Sequence, residues 1–147
     1  MVRAIPEGYH TITPYLKVRN VGGLLEFVQQ AFDAKVVEVL NPNGDVRHAE
    51  VQIGDSRLMM GECQPGHDPV PAMMYLYVED VDAWFQRAVK AGAEVLDPPE
   101  DQFYGDRSGG VIDSWGNRWY LATHIEDLSQ EEMDRRAALW SQGGEAD

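Results

Sequence analysis

The chain has 147 residues, of which 44% are hydrophobic, and its formal net charge is −13. This length and composition fit one compact domain, or two small half-domains, with a sizeable buried core. The acidic balance argues against anionic partners, namely DNA, RNA and acidic membrane surfaces. It favours a cationic ligand if acidic side chains line a cleft, although the same charge also serves plain solubility.

The chain also lacks the sequence features of membrane insertion and export. No apolar run approaches the roughly 18 residues of a transmembrane helix. The opening residues, MVRAIPEGYHTI, have no apolar signal core, so we expect no export. Cys63 is the single cysteine, which excludes an internal disulfide and fits a reducing cytoplasm. We therefore expect a cytoplasmic protein.

The first half of the chain predicts one helix and four strands. TITPYLKV predicts a strand, and Asn20 is expected to cap a helix with one apolar stripe: Val21, Leu24, Leu25, Val28 and Phe32. AKVVEVL, VRHAEVQI and SRLMMGEC predict three further strands, separated by NPNG and GD turns. The proline-rich CQPGHDPVP predicts a linker.

The same order of elements begins again after the linker. AMMYLYV predicts a strand, Asp80 is expected to cap a helix that ends at Gly92, and AEVLDPP predicts the next strand. DQFYGD predicts a loop, and RSGGVID and RWYLATH predict two strands around an SWGN turn. Ser129 and Glu132 form a capping box for a last helix, and we expect the tail, SQGGEAD, to fray.

The two halves repeat in their residues as well as in their elements. Tyr15-Leu16-x-Val18-x-x-Val21 matches Tyr75-Leu76-x-Val78-x-x-Val81 at an offset of sixty. Such a repeat predicts two similar units, each with a helix on one face of its sheet and the other face free.

These motifs resemble the vicinal-oxygen-chelate superfamily of glyoxalase I, extradiol dioxygenases and bleomycin-resistance proteins, and more narrowly its PhnB-like branch. The resemblance covers roughly residues 10–125 and rests on TPYLKV, HAEVQIGDSRLMM, YLYVEDVDAWFQRAVKAGA and DQFYGDRSGGVIDSWGNRWYLATH. It implies a single α+β domain of two βαβββ modules whose curled mixed sheets surround a central cavity. We place the modules at 10–63 and 72–125, the linker at 64–71 and a C-terminal helix at 128–141. The resemblance also implies a homodimer, in some members with exchanged modules.

Strand alternation predicts which side chains face the cavity. The helix-facing set is apolar: Leu16, Val18, Val51, Ile53, Leu76 and Val78. The opposite set mixes rings with polar groups, as small-molecule pockets do: Thr13, Tyr15, Lys17, His48, Glu50, Gln52, Met73, Tyr75, Tyr77, Tyr120 and His124. A shift of one residue in register would turn a strand over and exchange its two sets.

Metal-dependent members of this superfamily use His, Gln or Glu on the first and last strands of each module. The matching positions here hold Thr13, Met59 or Met60, Met73 and Tyr120. None is a good ligand for a divalent metal of this kind, so we expect no metal and no cofactor there. A relocated metal site would use His48, Glu50, Glu62 or His124.

Two further features bear on chemistry. His48 and Glu50 lie two residues apart on one strand face, which allows an acid–base pair or a satisfied polar face. Phe103 and Tyr104 are expected to form a flat lid over a ligand, since a similar loop stacks on the drug in bleomycin-resistance relatives. Arg107 is expected to pair with an anionic ligand group, or with Asp106 or Asp113.

The leading interpretation is a binding protein that holds a small organic molecule, such as a cationic antibiotic, in an aromatic cleft at a dimer interface. The alternative is an enzyme. It would be a lyase, isomerase or dioxygenase with relocated metal ligands, or a metal-free enzyme that uses His48 and Glu50 as acid and base. A third interpretation is a dimerising partner domain whose cavity is filled by its own side chains.

Overall fold

The computed structural model describes residues 1–143, which form two four-stranded mixed sheets and three α-helices. The first module contains β1 (Tyr15–Val18), α1 (Val21–Phe32), β2 (Lys35–Leu40), β3 (His48–Ile53) and β4 (Ser56–Glu62). The second contains β5 (Met73–Tyr77), α2 (Val81–Lys90), β6 (Glu94–Asp101), β7 (Asp106–Ile112) and β8 (Arg118–His124). The last helix is α3 (Gln130–Gly143).

The two sheets have the same topology. Their strand orders are β1-β4-β3-β2 and β5-β8-β7-β6. In each sheet the first strand pairs with the last strand in parallel, and the remaining pairs are antiparallel. This confirms the predicted α+β fold of two βαβββ modules and the C-terminal helix.

The two module helices start at the predicted caps and bury one face each. The side chain of Asn20 accepts from the N–H of Gly23 at 3.0 Å, and Asp80 accepts from Ala83 at 3.1 Å. The buried residues of α1 include four of the five predicted positions, while Leu25 is only half-buried: Val21, Leu24, Phe27, Val28, Ala31 and Phe32.

The helices of the two modules share one core. The Phe32 ring lies 4.7 Å from Trp119 and stacks at 6.3 Å on Trp84, measured between ring centroids. Phe32 and Trp119 are almost completely buried. Each sheet therefore has one face against the helices, and we call its other face the open face.

The structure corrects the predicted boundaries around β6. This strand runs through Pro98 and Pro99 to Asp101, so the predicted loop contracts to the four residues 102–105. Shifts in the β6–β7 register on either side of Asp97 accommodate prolines that cannot donate to the ladder. Helix α3 includes 141–143 of the tail that was expected to fray, and 144–147 lie outside the described residues.

No helix within residues 1–143 has the length and apolar character needed to cross a membrane.

The turn between β7 and β8 is built around the buried carboxylate of Asp113. One oxygen accepts from the backbone N–H groups of Trp115 and Asn117, both at 2.9 Å. The other accepts from the Asn117 amide at 3.1 Å and from the Trp119 indole at 2.9 Å. Asn117 in turn accepts from the N–H of Ala72 at 2.9 Å, which ties the turn to the residue before β5.

We predict that Asp113→Ala lowers the free energy of unfolding by about 3 kcal/mol, because it leaves buried indole and amide donors without acceptors. Urea denaturation measures this loss. Asp68→Ala is the control, since this exposed carboxylate makes no side-chain hydrogen bond within residues 1–143, and its effect should stay within about 0.5 kcal/mol. Equal losses in the two variants would contradict the structural role of Asp113.

Candidate functional site

Large aromatic side chains crowd the open face of the second sheet. Tyr75 and Tyr77 project from β5, and their rings meet edge to face with centroids 5.3 Å apart. Tyr75 is 41% exposed, Tyr77 is 65% exposed and the neighbouring Met73 is 60% exposed, so these groups remain accessible. We call Met73, Tyr75, Tyr77 and Tyr120 the tyrosine face.

A buried carboxylate fixes the hydroxyl ends of these rings. Asp106 is only 3% exposed, and one of its oxygens accepts from the hydroxyls of Tyr75 at 2.8 Å and Tyr77 at 2.9 Å. The paired residues Ser108 of β7 and Ala122 of β8 lie beneath the two tyrosine side chains and are themselves buried. Their small size leaves room for the two tyrosine side chains to reach Asp106 across β8.

His124 completes the network around Asp106. Its Nδ1 lies 2.9 Å from the second oxygen of Asp106, and its Nε2 lies 2.8 Å from Asp127. The bond to Asp106, followed by the bond to Asp127, raises the pKa of His124 above its ordinary value. Burial alone would raise the pKa of Asp106, but the bonds from His124, Tyr75 and Tyr77 outweigh burial and lower it. Asp106 is therefore ionised at neutral pH.

The tyrosines of this network stay protonated. Burial, followed by the nearby Tyr104 and Asp106, raises the pKa of Tyr75 well above its usual range. The bond to Asp106, followed by burial, raises the pKa of Tyr77. These phenols are donors to Asp106, so the network holds rings in place and offers no tyrosinate base.

Glycines in β7 and β4 make room for two further rings. Gly110 pairs with Tyr120, and a Cβ at Gly110 would lie 2.5 Å from the Tyr120 ring. The ring therefore lies flat over the glycine, and its hydroxyl donates to Asp97 at 2.9 Å. In the first sheet the Tyr15 ring covers Gly61 in the same way.

The open face of the first sheet carries a second polar cluster. His48 Nε2 lies 2.8 Å from Glu50, and His48 Nδ1 lies 3.2 Å from the Tyr15 hydroxyl. Tyr9, which precedes β1, donates its hydroxyl to Glu50. Burial would raise the pKa of Glu50, but the bonds from Tyr9 and His48 outweigh it and lower the pKa. Both histidine nitrogens and both carboxylate oxygens are thus engaged within the chain.

A cleft of about 740 Å³ lies between the two modules. The β3–β4 hairpin forms one side, with Asp55 and Arg57, and β5 forms the other, with Tyr75 and Tyr77. Trp84 and Trp119 contribute apolar surface to its wall. This size lies within the range of small-molecule sites.

The structure separates the predicted site residues into two groups. Tyr75, Tyr77 and His124 meet around Asp106, whereas Tyr15 contacts His48 on the other sheet. Among residues 1–143, no hydrogen bond or ring contact joins the two open faces. Gln52 donates to the carbonyl of Gly54 at 3.0 Å, and Thr13 precedes β1 instead of lying within a strand.

The predicted aromatic lid is in contact with the C-terminal helix. Phe103 stacks on Trp140 of α3 with centroids 5.4 Å apart, and it meets Tyr104 edge to face at 5.2 Å. Arg136 of α3 also donates to the Phe103 carbonyl at 3.1 Å. Phe103 therefore packs on the last helix, while Tyr104 lies next to Tyr75.

The expected pairing of Arg107 with Asp106 or Asp113 is wrong. Arg107 forms ion pairs with Asp82 of α2 at 3.0 Å and with Asp101 of β6 at 3.1 Å. Successive residues of a strand point to opposite faces, so Arg107 lies on the helix side while Asp106 lies on the open face.

Sequence reasoning missed Asp106 and Tyr9 as site residues. Asp106 lies on the same strand face as Ser108 and Gly110. The sequence predicts this only if β7 is taken to begin at residue 106. Tyr9 precedes β1, where no periodicity predicts the position of a side chain.

The side chains at the implied metal positions do not fit a divalent ion. Met60 is fully buried and Met73 offers a thioether. Tyr120 offers a phenol that is already bonded to Asp97. Residues 1–143 contain no group of three His, Cys, Asp or Glu side chains arranged to hold a metal. Of the alternative ligands, Glu62 instead accepts from the N–H groups of Asn20 at 2.9 Å and Val21 at 3.0 Å, at the start of α1.

Comparison with known proteins identifies the family. The family model described as "Glyoxalase/Bleomycin resistance protein/Dioxygenase superfamily" matches residues 10–121, so the chain belongs to that superfamily. The uncharacterized protein Mb0911c of Mycobacterium bovis is 34% identical over 144 residues, which cover 90% of this chain and 93% of that protein.

Solved structures share the fold. TioX from Micromonospora sp. ML1 has a TM-score of 0.69 at 23% identity, covering 79% of this chain and 99% of that one. A glyoxalase/bleomycin resistance protein/dioxygenase family enzyme from Burkholderia phytofirmans PsJN has a TM-score of 0.66 at 16% identity, covering 77% and 97%. At these identities the likeness establishes a common architecture.

We predict that Asp106→Asn lowers the pKa of His124 towards 6.5, because the variant weakens the hydrogen bond to residue 106 that contributes most to its upward shift. An NMR titration of the histidine ring protons measures this change. Asp97→Asn is the control, since Asp97 contacts Tyr120 and not His124, and it should leave the His124 titration unchanged. An unshifted titration in Asp106→Asn would contradict the proposed pairing.

The same pair makes stability depend on pH. Because folding raises the pKa of His124, its stabilising contribution is complete below about pH 6.5 and is lost as the pH rises through the folded-state value. We predict that His124→Gln reduces the free energy of unfolding more at about pH 5.5 than at about pH 9. Urea denaturation of both proteins at the two pH values provides the comparison, and a pH-independent difference would argue against the ion pair.

Proposed function

We propose that this protein binds a flat, cationic, aromatic small molecule against the tyrosine face, on the open face of the second sheet. The observation that carries this proposal is the state of Tyr75 and Tyr77. Their rings are exposed while both hydroxyls are held by the buried carboxylate of Asp106. Rings that are fixed before binding lose little conformational freedom when a ligand stacks on them.

The charges around the tyrosine face support a cationic ligand. Asp106 and Asp97 accept from its tyrosines and Asp127 lies beside His124, so negative charge is in excess there. The net charge of the whole chain has the same sign. Aromatic faces also attract cations directly, so rings and carboxylates favour the same class of ligand.

We further propose that the protein sequesters an antibiotic, binds it without a metal, and forms a homodimer in the cytoplasm. Membership of a superfamily that includes bleomycin-resistance proteins supports the first. The thioether and phenol groups at the implied metal positions support the second. Exposed apolar groups on both open faces support a homodimer, since a second copy would shield Tyr15 and Met73 from water.

Binding of two probes tests the proposal: bleomycin, and proflavine as a planar aromatic cation. We expect saturable binding by isothermal titration calorimetry, and Tyr77→Ala should weaken it roughly fivefold, since a well-placed aromatic contact contributes about 1 kcal/mol. Leu139→Ala is the matched control because it truncates an exposed apolar side chain on α3, outside the tyrosine face. Affinities that are unchanged in Tyr77→Ala, or no binding of either probe, would count against the tyrosine face.

The His48–Glu50 pair favours a second candidate function, a metal-free acid–base enzyme. The 2.8 Å contact and the bond of His48 to Tyr15 give the imidazole a fixed orientation, as a general base requires. In the present arrangement Tyr9 and Tyr15 engage the remaining acceptor atoms of this pair, so catalysis would require one of these phenols to move.

One substrate tests the enzymatic candidate: the hemithioacetal of methylglyoxal and glutathione, whose isomerisation needs only proton transfer. If the pair is catalytic, the wild-type protein turns it over and both His48→Ala and Glu50→Gln abolish turnover. His67→Ala is the control, because the described contacts of His67 are made by its backbone. Turnover that survives in His48→Ala and Glu50→Gln would exclude this mechanism.

A further inference from the structure

Residues 1–13 lie ahead of the first strand without helix or strand structure. Tyr9, near the end of this segment, reaches the open face of the first sheet. There its hydroxyl meets Glu50 and the guanidinium of Arg57 lies over its ring, 4.9 Å from the centroid. We call residues 1–13 the N-terminal strap.

The partners of the Tyr9 phenol belong to an ordered, largely shielded cluster. The side chain of Glu50 is 13% exposed and that of His48 is 19% exposed, and the two are bonded at 2.8 Å. Tyr15 holds the far side of the His48 ring. Glu50 is therefore a fixed, charged acceptor for the hydroxyl of a phenol. Arg57, beside it, is a flat cation that can cover the ring of the same phenol.

Few contacts hold the strap, and the packing of Gly8 and Tyr9 on Arg57 is among them. Within residues 1–143, the bond from Tyr9 to Glu50 is the one hydrogen bond that joins the strap to the remainder of the chain. Met1, Val2 and Ile12 are almost fully exposed. Release of Tyr9 would therefore free the strap without breaking a strand or a helix.

Tyr9 does not satisfy every donor in this cluster. Nε of Arg57 is buried and has no hydrogen-bond partner among the described residues. A buried donor without an acceptor is unfavourable, and native proteins rarely leave one unpaired. The site therefore has a place for an acceptor that a tyrosine side chain lacks.

We infer that Glu50, His48 and Arg57 form a binding site for a phenol that carries a second hydrogen-bond acceptor, such as a hydroxybenzoate, and that Tyr9 fills this site as an internal ligand. The phenolic hydroxyl donates to Glu50, the ring lies against Arg57, and the additional acceptor receives the Arg57 Nε–H.

This site is separate from the tyrosine face. Glu50, His48 and Arg57 lie on the first sheet, whereas the tyrosine face belongs to the second. The ligand class also differs, because the carboxylates of the tyrosine face favour a cation while Arg57 favours an anion. Binding at the two sites can therefore be tested independently.

Calorimetric titration with p-cresol, the analogue of the tyrosine side chain, and with 4-hydroxybenzoate tests the inference. Tyr9→Ala should bind both probes at least tenfold more tightly than the wild-type chain, because the strap no longer competes for the site. The affinity for 4-hydroxybenzoate should exceed that for p-cresol, and Arg57→Met should remove this preference. Arg47→Met, which alters an exposed ion pair with Asp45, should retain it.

Four further measurements make the test decisive. Toluene, which has no hydroxyl, should not bind, and adding Glu50→Gln to Tyr9→Ala should weaken p-cresol binding at least tenfold. Tyr9→Phe keeps the ring and removes only the hydroxyl, so it provides the same comparison if Tyr9→Ala fails to fold. In the wild-type chain, saturating 4-hydroxybenzoate should accelerate chymotrypsin cleavage of the bond between Tyr9 and His10.

The inference is overturned if folded Tyr9→Ala or Tyr9→Phe binds neither phenol, or if binding is unaffected by Glu50→Gln. Binding that is lost in Tyr77→Ala would assign the phenols to the tyrosine face instead. Proflavine binding should be the same in Tyr9→Ala and in the wild-type chain, so failure of this site is distinguishable from failure of the proposed function.

Discussion

The packing of α1 against α2 is the constraint on which the other features depend. Phe32 of α1 contacts Trp84 of α2 and Trp119 of the second sheet, so the two modules share a single apolar core. Each sheet uses one face to cover that core, and the other face remains free for polar and aromatic side chains. The cleft between the modules follows from the same packing, because the β3–β4 hairpin is held opposite β5.

Both open faces use a shielded carboxylate that accepts from phenols and from a histidine. In the second sheet Asp106 accepts from Tyr75, Tyr77 and His124. In the first sheet Glu50 accepts from Tyr9 and contacts His48. The two modules thus repeat the same arrangement of a carboxylate, phenols and a histidine, as well as the same sequence pattern. In each module the hydrogen-bond donors offset the free-energy cost of burying the carboxylate.

The two clusters differ in the origin of their phenols, and this difference separates their functions. Tyr75 and Tyr77 belong to β5, whose backbone pairs with β8, and both hydroxyls bond Asp106, so they form a fixed surface. Tyr9 belongs to a segment that, within residues 1–143, makes one hydrogen bond to the remainder of the chain, so it can be exchanged for another phenol. The first arrangement suits stacking, and the second suits competition between the chain and a ligand.

The sequence by itself determined the two modules, their helices and the alternation of the strands, because caps, apolar periodicity and turns act over a few residues. Asn20 and Asp80 cap the helices as their neighbours predict. The sequence also placed Tyr75, Tyr77, His48 and Glu50 on strand faces away from the helices.

Which of these groups meet depends on the tertiary structure. Asp106 became an anchor because β6 passes through two prolines and so lets β7 begin at that residue. Arg107 turned to the helix side by the same register, and Tyr9 reached Glu50 across 41 positions of sequence. Contacts of this kind depend on how the sheets and loops pack in space, and no local pattern in the chain encodes them.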